Sequence, residues 1–289
     1  MTERAEAICH GAATIINAIA MGKGAAFGVD LWTKAEVKLT DEPGIITGKI
    51  ASDPTENSAV IEKTVRRVFE HFNVEKRFGA KVKTSSNIPI ARGLKSSSVA
   101  TNAIALATVA ALNKRLDDLT IVKLGVDGAV DAKVTITGAF DDACAAYFGD
   151  IVITDNVKRR IVKRFEISDS AVLFHIPAQK TYTVNSDVKR MQGVASLVKI
   201  AYKEVLKGNY WSALTLNGLI YSSALGYNPS IALDALMAGA LAAGLSGKGP
   251  AVTAVVPSAK VDAVKDAWQA YEGEILQARV NHEQAKVLG

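Results

Sequence analysis

Asn87-Ile88-Pro89-Ile90-Ala91-Arg92-Gly93-Leu94-Lys95-Ser96-Ser97-Ser98-Val99, followed by an Ala-rich apolar run to Leu112, is the stretch whose reading decides the fold. Pro89 biases Ile88 to extended geometry. Gly93 permits a backbone angle that a Cβ resists. Ser96, Ser97 and Ser98 are favourable N-cap residues. From Val99 there is no glycine or proline until Gly125, so a helix is expected. A helix start leaves backbone N–H groups unpaired and carries partial positive charge. With three hydroxyls and the cation of Lys95 around it, this start suits an anion such as polyphosphate. A plain N-cap on a buried helix fits the same residues.

The usual P-loop is absent. Neither Gly22-Lys23-Gly24 nor Gly247-Lys248-Gly249 is followed by Ser or Thr. One Gly-x-Gly pair does not make a dinucleotide fingerprint.

Working outward, the chain has 289 residues, 49% hydrophobic and 22% charged, enough for one large or two ordinary domains with a real core. A net charge of +5 is mild and suits anionic small molecules. The basic run Lys158-Arg159-Arg160 with Lys163-Arg164 lacks interleaved aromatics, so it reads as a solvated face and no nucleic-acid partner is expected. Two cysteines, Cys9 and Cys144, do not make a disulfide scaffold. His10, His71, His175 and His282 lack zinc-ligand spacing. Ala12–Met21 is apolar, but Glu3 and Glu6 outnumber Arg4, so a buried strand or turn fits better than a leader. No apolar run is long enough to cross a bilayer, and a cytoplasmic, membrane-free protein is expected.

Strands are expected over Ala5–Asn17, Leu31–Leu39, Ile45–Ile50, Gly79–Ser85, Ile151–Thr154, Ala171–Ile176, Ala251–Val256 and Glu274–Val280. Met21 to Gly28 reads as a glycine-punctuated loop. Helices are expected over Asn57–Phe72, Leu119–Val130, Val188–Leu206, Tyr210–Tyr221, Ser230–Ala243 and Lys260–Tyr271. Asp141 and Asp142 follow a glycine turn between apolar segments. A carboxylate there suits proton transfer or metal binding, and an Asp cap on a short helix suits it equally.

Three anion-suited loops thus share the chain: Gly93–Ser98, Asp141-Asp142, and Gly244–Gly249 before a strand. Their order, Pro-x-x-x-Gly-Leu-x-Ser-Ser, then Gly-x-x-Asp-Asp-Ala, then a late glycine loop, resembles the GHMP small-molecule kinases. The blocks Gly11–Ala20, Ala26–Leu31, Arg92–Ser98 and Thr137–Cys144 are similar to the archaeal-type shikimate kinases of that superfamily.

The resemblance implies an α+β GHMP kinase fold. Residues 1–160 would form an N-terminal ribosomal-protein-S5-domain-2-like domain carrying the phosphate loop. Residues 161–289 would form a ferredoxin-like C-terminal domain. It implies ATP-dependent phosphorylation of shikimate to shikimate 3-phosphate, with ATP and Mg²⁺ as cofactors. ATP would rest on Pro89, Ile90, Ala91, Arg92, Gly93, Leu94, Lys95, Ser96, Ser97 and Ser98. Mg²⁺ would be held by Ser97 or Ser98, with Asp131 roughly where some relatives place an acidic ligand. Asp141 aligns with the superfamily's catalytic aspartate, with Asp142 and Lys95 beside it. Lys23, Arg92 and Lys248 are candidates for the acceptor's carboxylate, and Ser246 and Gly247 complete the late loop. Two departures stand out. Ser98-Val99 replaces a common Ala-Ala, and Lys248 interrupts a loop that is usually smaller. A kinase for another hydroxyl compound such as homoserine, or a catalytically silent relative, remains open at this point.

Overall fold

A computed structural model describes residues 3–89, 93–135, 137–178 and 188–289. Among the described residues the strands form two sheets. The first has seven strands: β1 (Arg4–Ile16), β2 (Lys23–Thr40), β3 (Ile46–Ile50), β4 (Gly79–Ser86), β5 (Ile151–Asp155), β6 (Arg160–Phe165) and β11 (Lys286–Leu288). Long β2 is its spine. One edge of β2 pairs with β1 along most of its length; the other pairs with β5 over Lys23–Phe27 and with β4 over Thr33–Thr40. β3 joins β4 in parallel, across the helix α1 (Ala59–Phe72) that a parallel crossover requires.

The loop expected at Met21–Gly28 is instead the start of β2. Gly22 makes the turn before the strand, at φ +67°, while Gly24 and Gly28 lie in the strand for close approach. A Cβ on Gly28 would stand 2.7 Å from the Asn281 carbonyl oxygen and 3.0 Å from the Gly149 Cα.

α2 (Ser96–Ala111) lies against β1 and β2, buried nearly all round, and α1 and α3 (Asp118–Asp131) pack on it. α4 (Phe140–Phe148) covers β1, β2 and β5. Asn102, in the middle of apolar α2, donates to the Ala143 carbonyl at 2.8 Å and so locks the two helices.

The second sheet holds β7 (Ala171–Ile176), β8 (Ala242–Leu245), β9 (Val252–Val256) and β10 (Glu274–Arg279), all antiparallel in the order β10-β7-β9-β8. Between β7 and β8 come α5 (Val188–Gly193), α6 (Ala195–Leu206), α7 (Tyr210–Leu225) and α8 (Ser230–Met237); α9 (Val261–Trp268) links β9 to β10. This is the β-α-β-β-α-β pattern of a ferredoxin-like unit. β7 is buried on both faces. Phe174 joins the main core shared with the first sheet, while Leu173 joins a smaller one around Trp268 under α8 and α9.

Three expectations shift. The helix expected to Ala243 stops at Met237, because Gly244 must lie in β8 flat against Gly218 of α7, backbone to backbone. The helix expected over 188–206 breaks at Val194. A division at 160 would cut β6 from the sheet it pairs with, and β11 returns to that sheet's far edge. Among the described residues no helix is long and apolar enough to cross a membrane.

Gly28→Ala should destabilise the protein by about 1–3 kcal/mol, the usual cost of overpacking. Urea unfolding measures it, and a variant as stable as the parent would show that the tail does not bear on β2 as described.

Candidate active site

The serine stretch enters α2 by a different route from the one expected. Gly93 (φ +83°) and Lys95 (φ +62°) take left-handed backbone angles, and Lys95 is the N-cap. The three serines therefore form the helix's first turn. All three line a cavity of about 400 Å³, at a helix start whose first N–H groups have no intrahelical partner. A left-handed lysine costs about 1–2 kcal/mol, and such strain gathers where a side chain must be aimed.

Lys95 is aimed at a carboxylate. Its Nζ lies 3.3 Å from Asp142 Oδ2, both side chains largely buried. Asp142 also accepts from the Thr14 hydroxyl at 3.4 Å. Asp141 and Asp142 occupy the first turn of α4, where the helix dipole favours negative charge. Ala139, at φ +47° behind Gly138, turns the chain into that helix. Asp141 accepts from Asn156 Nδ2 at 2.8 Å. It presses so close to β2 that any Cβ at Gly24 would collide with its carboxylate. Burial first, and then the neighbouring Asp142, push the Asp141 carboxyl up to about 7.

The late glycine loop closes the cavity from the second sheet. Ser246 Oγ donates to the Gly93 carbonyl at 3.1 Å. A Cβ on Gly93 would stand 2.9 Å from the Gly249 carbonyl oxygen, and one on Gly247 would strike Lys95 Nζ. The two loops are thus fitted to each other through absent side chains. Gly247, Lys248 and Gly249 line the cavity. Burial first, then the charge of Lys95, lower the Lys248 ammonium to about 8.

Of the residues expected from sequence, Gly93, Leu94, Lys95, Ser96, Ser97, Ser98, Asp141, Asp142, Gly247 and Lys248 line this one cavity. Ser246 supports it from behind. Pro89 is half-buried and not among the described lining residues, and Ile90, Ala91 and Arg92 lie outside the described residues. Two expectations do not match. Lys23 is exposed at the start of β2, its ammonium 5.8 Å from the ring of Tyr202, away from the lining. Asp131, at the end of α3, is held by the Arg67 guanidinium and is likewise off the lining.

Several lining residues escape a reading of local sequence. Thr14 and Asn17 come from the end of β1, where its pairing with β2 slips between Thr14 and Ile16. The Asn17 backbone is gripped by α7, through Asn217 at 3.2 Å and the Tyr221 hydroxyl at 3.3 Å. Ile50, Val60 and Ile61 form an apolar wall at the far end, with Glu56 and Asn57 near it. An alternating β3 and a striped α1 carry no sign that their ends would flank a ligand.

The oxygen donors fit a hard cation held jointly with phosphate. Among the described residues there is no cluster of three or more His, Cys, Asp or Glu that forms a protein-only metal cage. Mg²⁺ needs none, since it binds through a few protein oxygens, phosphates and water.

Residues 59–150 match the family model described as GHMP kinases N terminal domain. The chain is 44% identical over 284 residues to a shikimate kinase of Methanosarcina mazei, covering 98% of this chain and 96% of that one. It is 40% identical over 267 residues to a shikimate kinase of Pyrococcus furiosus, covering 92% and 95%. Among solved structures, a homoserine kinase from Cytophaga hutchinsonii superposes with TM-score 0.78 at 17% identity, covering 100% of this chain and 98% of that one. The mevalonate kinase of Methanococcus jannaschii superposes with TM-score 0.75 at 17% identity, covering 97% and 99%. Likeness at that identity speaks for the fold; the shikimate kinases, similar over nearly the whole length, speak for the family. On that similarity, and with its serine loop, paired aspartates and late glycine loop meeting in one cavity, the chain belongs to the shikimate kinase family of the GHMP kinases.

Proposed function

We propose that this chain transfers the γ-phosphoryl group of ATP to a hydroxyl of shikimate, giving shikimate 3-phosphate. The observation that carries the reading is the juxtaposition, in one cavity, of a helix start bearing three serines with a buried Asp141 and a half-buried Lys248.

Phosphoryl transfer asks for positioning and charge neutralisation more than covalent chemistry. The first turn of α2 and the Lys95 ammonium supply both to the phosphates. Ser97 and Ser98 would hold Mg²⁺, which when bound neutralises phosphate charge. The apolar wall of Ile50, Val60 and Ile61 suits the nucleotide base. On the acceptor side, a carboxylate near neutrality is matched to taking a hydroxyl proton at physiological pH. Asp141 is that group, and its proton would reside on a carboxylate oxygen after transfer. Of the candidates for the carboxylate of shikimate, Lys248 lines the cavity and Lys23 does not, and Lys248 is assigned that role. Thr14 and Asn17 add polar groups that a polyhydroxy acid can pair with and a simpler acceptor leaves unpaired.

ADP release should be measured with Mg-ATP and, separately, shikimate, homoserine, mevalonate and galactose. Shikimate should lead in kcat/KM by as much as ~10⁴-fold, the discrimination available to a site that hydrogen-bonds its substrate's hydroxyls. Faster turnover of homoserine would reassign the acceptor, and ATP binding with no turnover of any acceptor would indicate a silent relative.

The pH profile tests the roles. Asp141 must be ionised to accept a proton, so kcat/KM should rise as pH climbs through about 7. Lys248 must be protonated to hold a carboxylate, so it should fall as pH passes about 8. A narrow bell is expected. Asp141→Asn should lower kcat by ~10²–10⁴-fold with the KM for ATP little changed. Lys248→Met should raise the KM for shikimate and abolish the basic limb. A flat profile, or a mild Asp141→Asn beside a crippled Asp142→Asn, would contradict this assignment.

A further inference from the structure

Behind Asp141 stands a short hydrogen-bonded chain that no part of the mechanism above requires. Asn156, just past the end of β5, donates Nδ2–H to Asp141 Oδ1 at 2.8 Å. The Thr154 hydroxyl, on β5, donates to Asn156 Oδ1 at 2.6 Å. The same hydroxyl lies 3.4 Å from the Gly24 carbonyl, so its single proton goes to the nearer amide oxygen. All three side chains are buried: Thr154 fully, Asn156 at 6% and Asp141 at 3% exposure.

The order of donors fixes the orientation of the amide. With the Asn156 oxygen taken by Thr154, its NH₂ must face Asp141. The opposite orientation would set the amide oxygen against a carboxylate. The backbone holds the chain rigid as well. Thr154 pairs with Gly24 in the β2–β5 ladder, and Asn156 N–H donates to the Gly22 carbonyl at 2.9 Å. Gly24, lacking a Cβ, lets Asp141 reach this position.

We propose that Asn156, oriented by Thr154, is a positioning residue that aims the Asp141 carboxylate at the acceptor hydroxyl and holds it in its proton-accepting form. The proposal rests on the reading of Asp141 as the base. A donor aimed at a carboxylate favours the ionised form. It opposes burial and Asp142, which favour the protonated form. The charged and titratable groups around Asp141 are Asp142 and Cys144 on α4, Lys95 at the start of α2 and Tyr221 on α7. Among the described contacts, Asn156 gives Asp141 its side-chain hydrogen bond.

The test is a pH-resolved mutant cycle with shikimate and saturating ATP. Asn156→Ala should lower kcat about 10- to 100-fold, the range that a hydrogen bond to a charged group supports. The KM for ATP should stay within about 2-fold, because the phosphate loop is untouched, and the acid limb of the profile should move to higher pH by about one unit. Thr154→Val should shift the limb the same way, and Thr154→Ser, which keeps the hydroxyl, should recover most of the loss. In an Asp141→Asn background, Asn156→Ala should lower the residual rate by less than about 2-fold, since interacting groups are not additive. An unmoved acid limb in a folded, ATP-binding variant would overturn the proposal. So would a further full loss in the Asp141→Asn background, which would mark a merely structural role. If Asn156→Ala does not fold, the Thr154 pair carries the same decision. Failure of the parent enzyme to phosphorylate shikimate removes the functional reading and this inference with it; an active parent with unaltered variants removes this inference alone.

Discussion

Asp141 and Asp142 lie next to each other, both buried, in the first turn of α4. Burying one carboxylate is costly, and burying two side by side more so, unless each is paired or hydrogen-bonded. The compensation comes from widely separated parts of the chain. The helix dipole of α4 acts on both. Lys95 from the start of α2 and Thr14 from β1 serve Asp142; Asn156 beyond β5 serves Asp141. The fold must bring these elements together before the pair can be tolerated. Much of its architecture, from long β2 to the Asn102 bond between α2 and α4, keeps them there.

Small residues make the convergence possible. At Gly24, Gly93 and Gly247 an added Cβ would meet Asp141, the opposing loop or Lys95. Gly93 and Gly247 also hold left-handed backbone angles, but Gly24 lies in a regular strand, where room alone accounts for it. Asp141 fills the space at Gly24, the Gly249 and Ser246 backbone that at Gly93, and Lys95 that at Gly247. The result is one cavity lined by the serines, the paired aspartates and two lysines, Lys95 and Lys248, whose mutual repulsion helps lower Lys248.

The elements with clear periodicity were legible from sequence: alternating β2 beyond Leu31, striped α1, apolar α2 and the fully buried β7. The serine loop and the paired aspartates stood out as candidates for chemistry, though a plain helix cap fitted each of them as well, and only the order of the three loops tied them together. What local sequence could not reveal depends on partners far along the chain. Gly22-Lys23-Gly24 looks like a loop until Asp141 packs on it. Asp131 looks available until Arg67 reaches it. Asn156 looks like a turn residue beside a basic run, and only its contact with Asp141 gives it a role. The serines read as caps, yet Lys95 takes the cap because its left-handed backbone turns its side chain to Asp142.

On the proposed reading, the acceptor hydroxyl meets Asp141 while the acceptor carboxylate meets Lys248. A crystal structure with ADP and shikimate bound tests it most directly. One shikimate hydroxyl should lie within hydrogen-bond reach of an Asp141 oxygen, roughly 2.6–3.2 Å. The shikimate carboxylate should sit on the Lys248 ammonium, with the nucleotide phosphates over Ser96–Ser98. Shikimate seated with its carboxylate toward the serine loop, or with Asp142 rather than Asp141 on its hydroxyl, would contradict it.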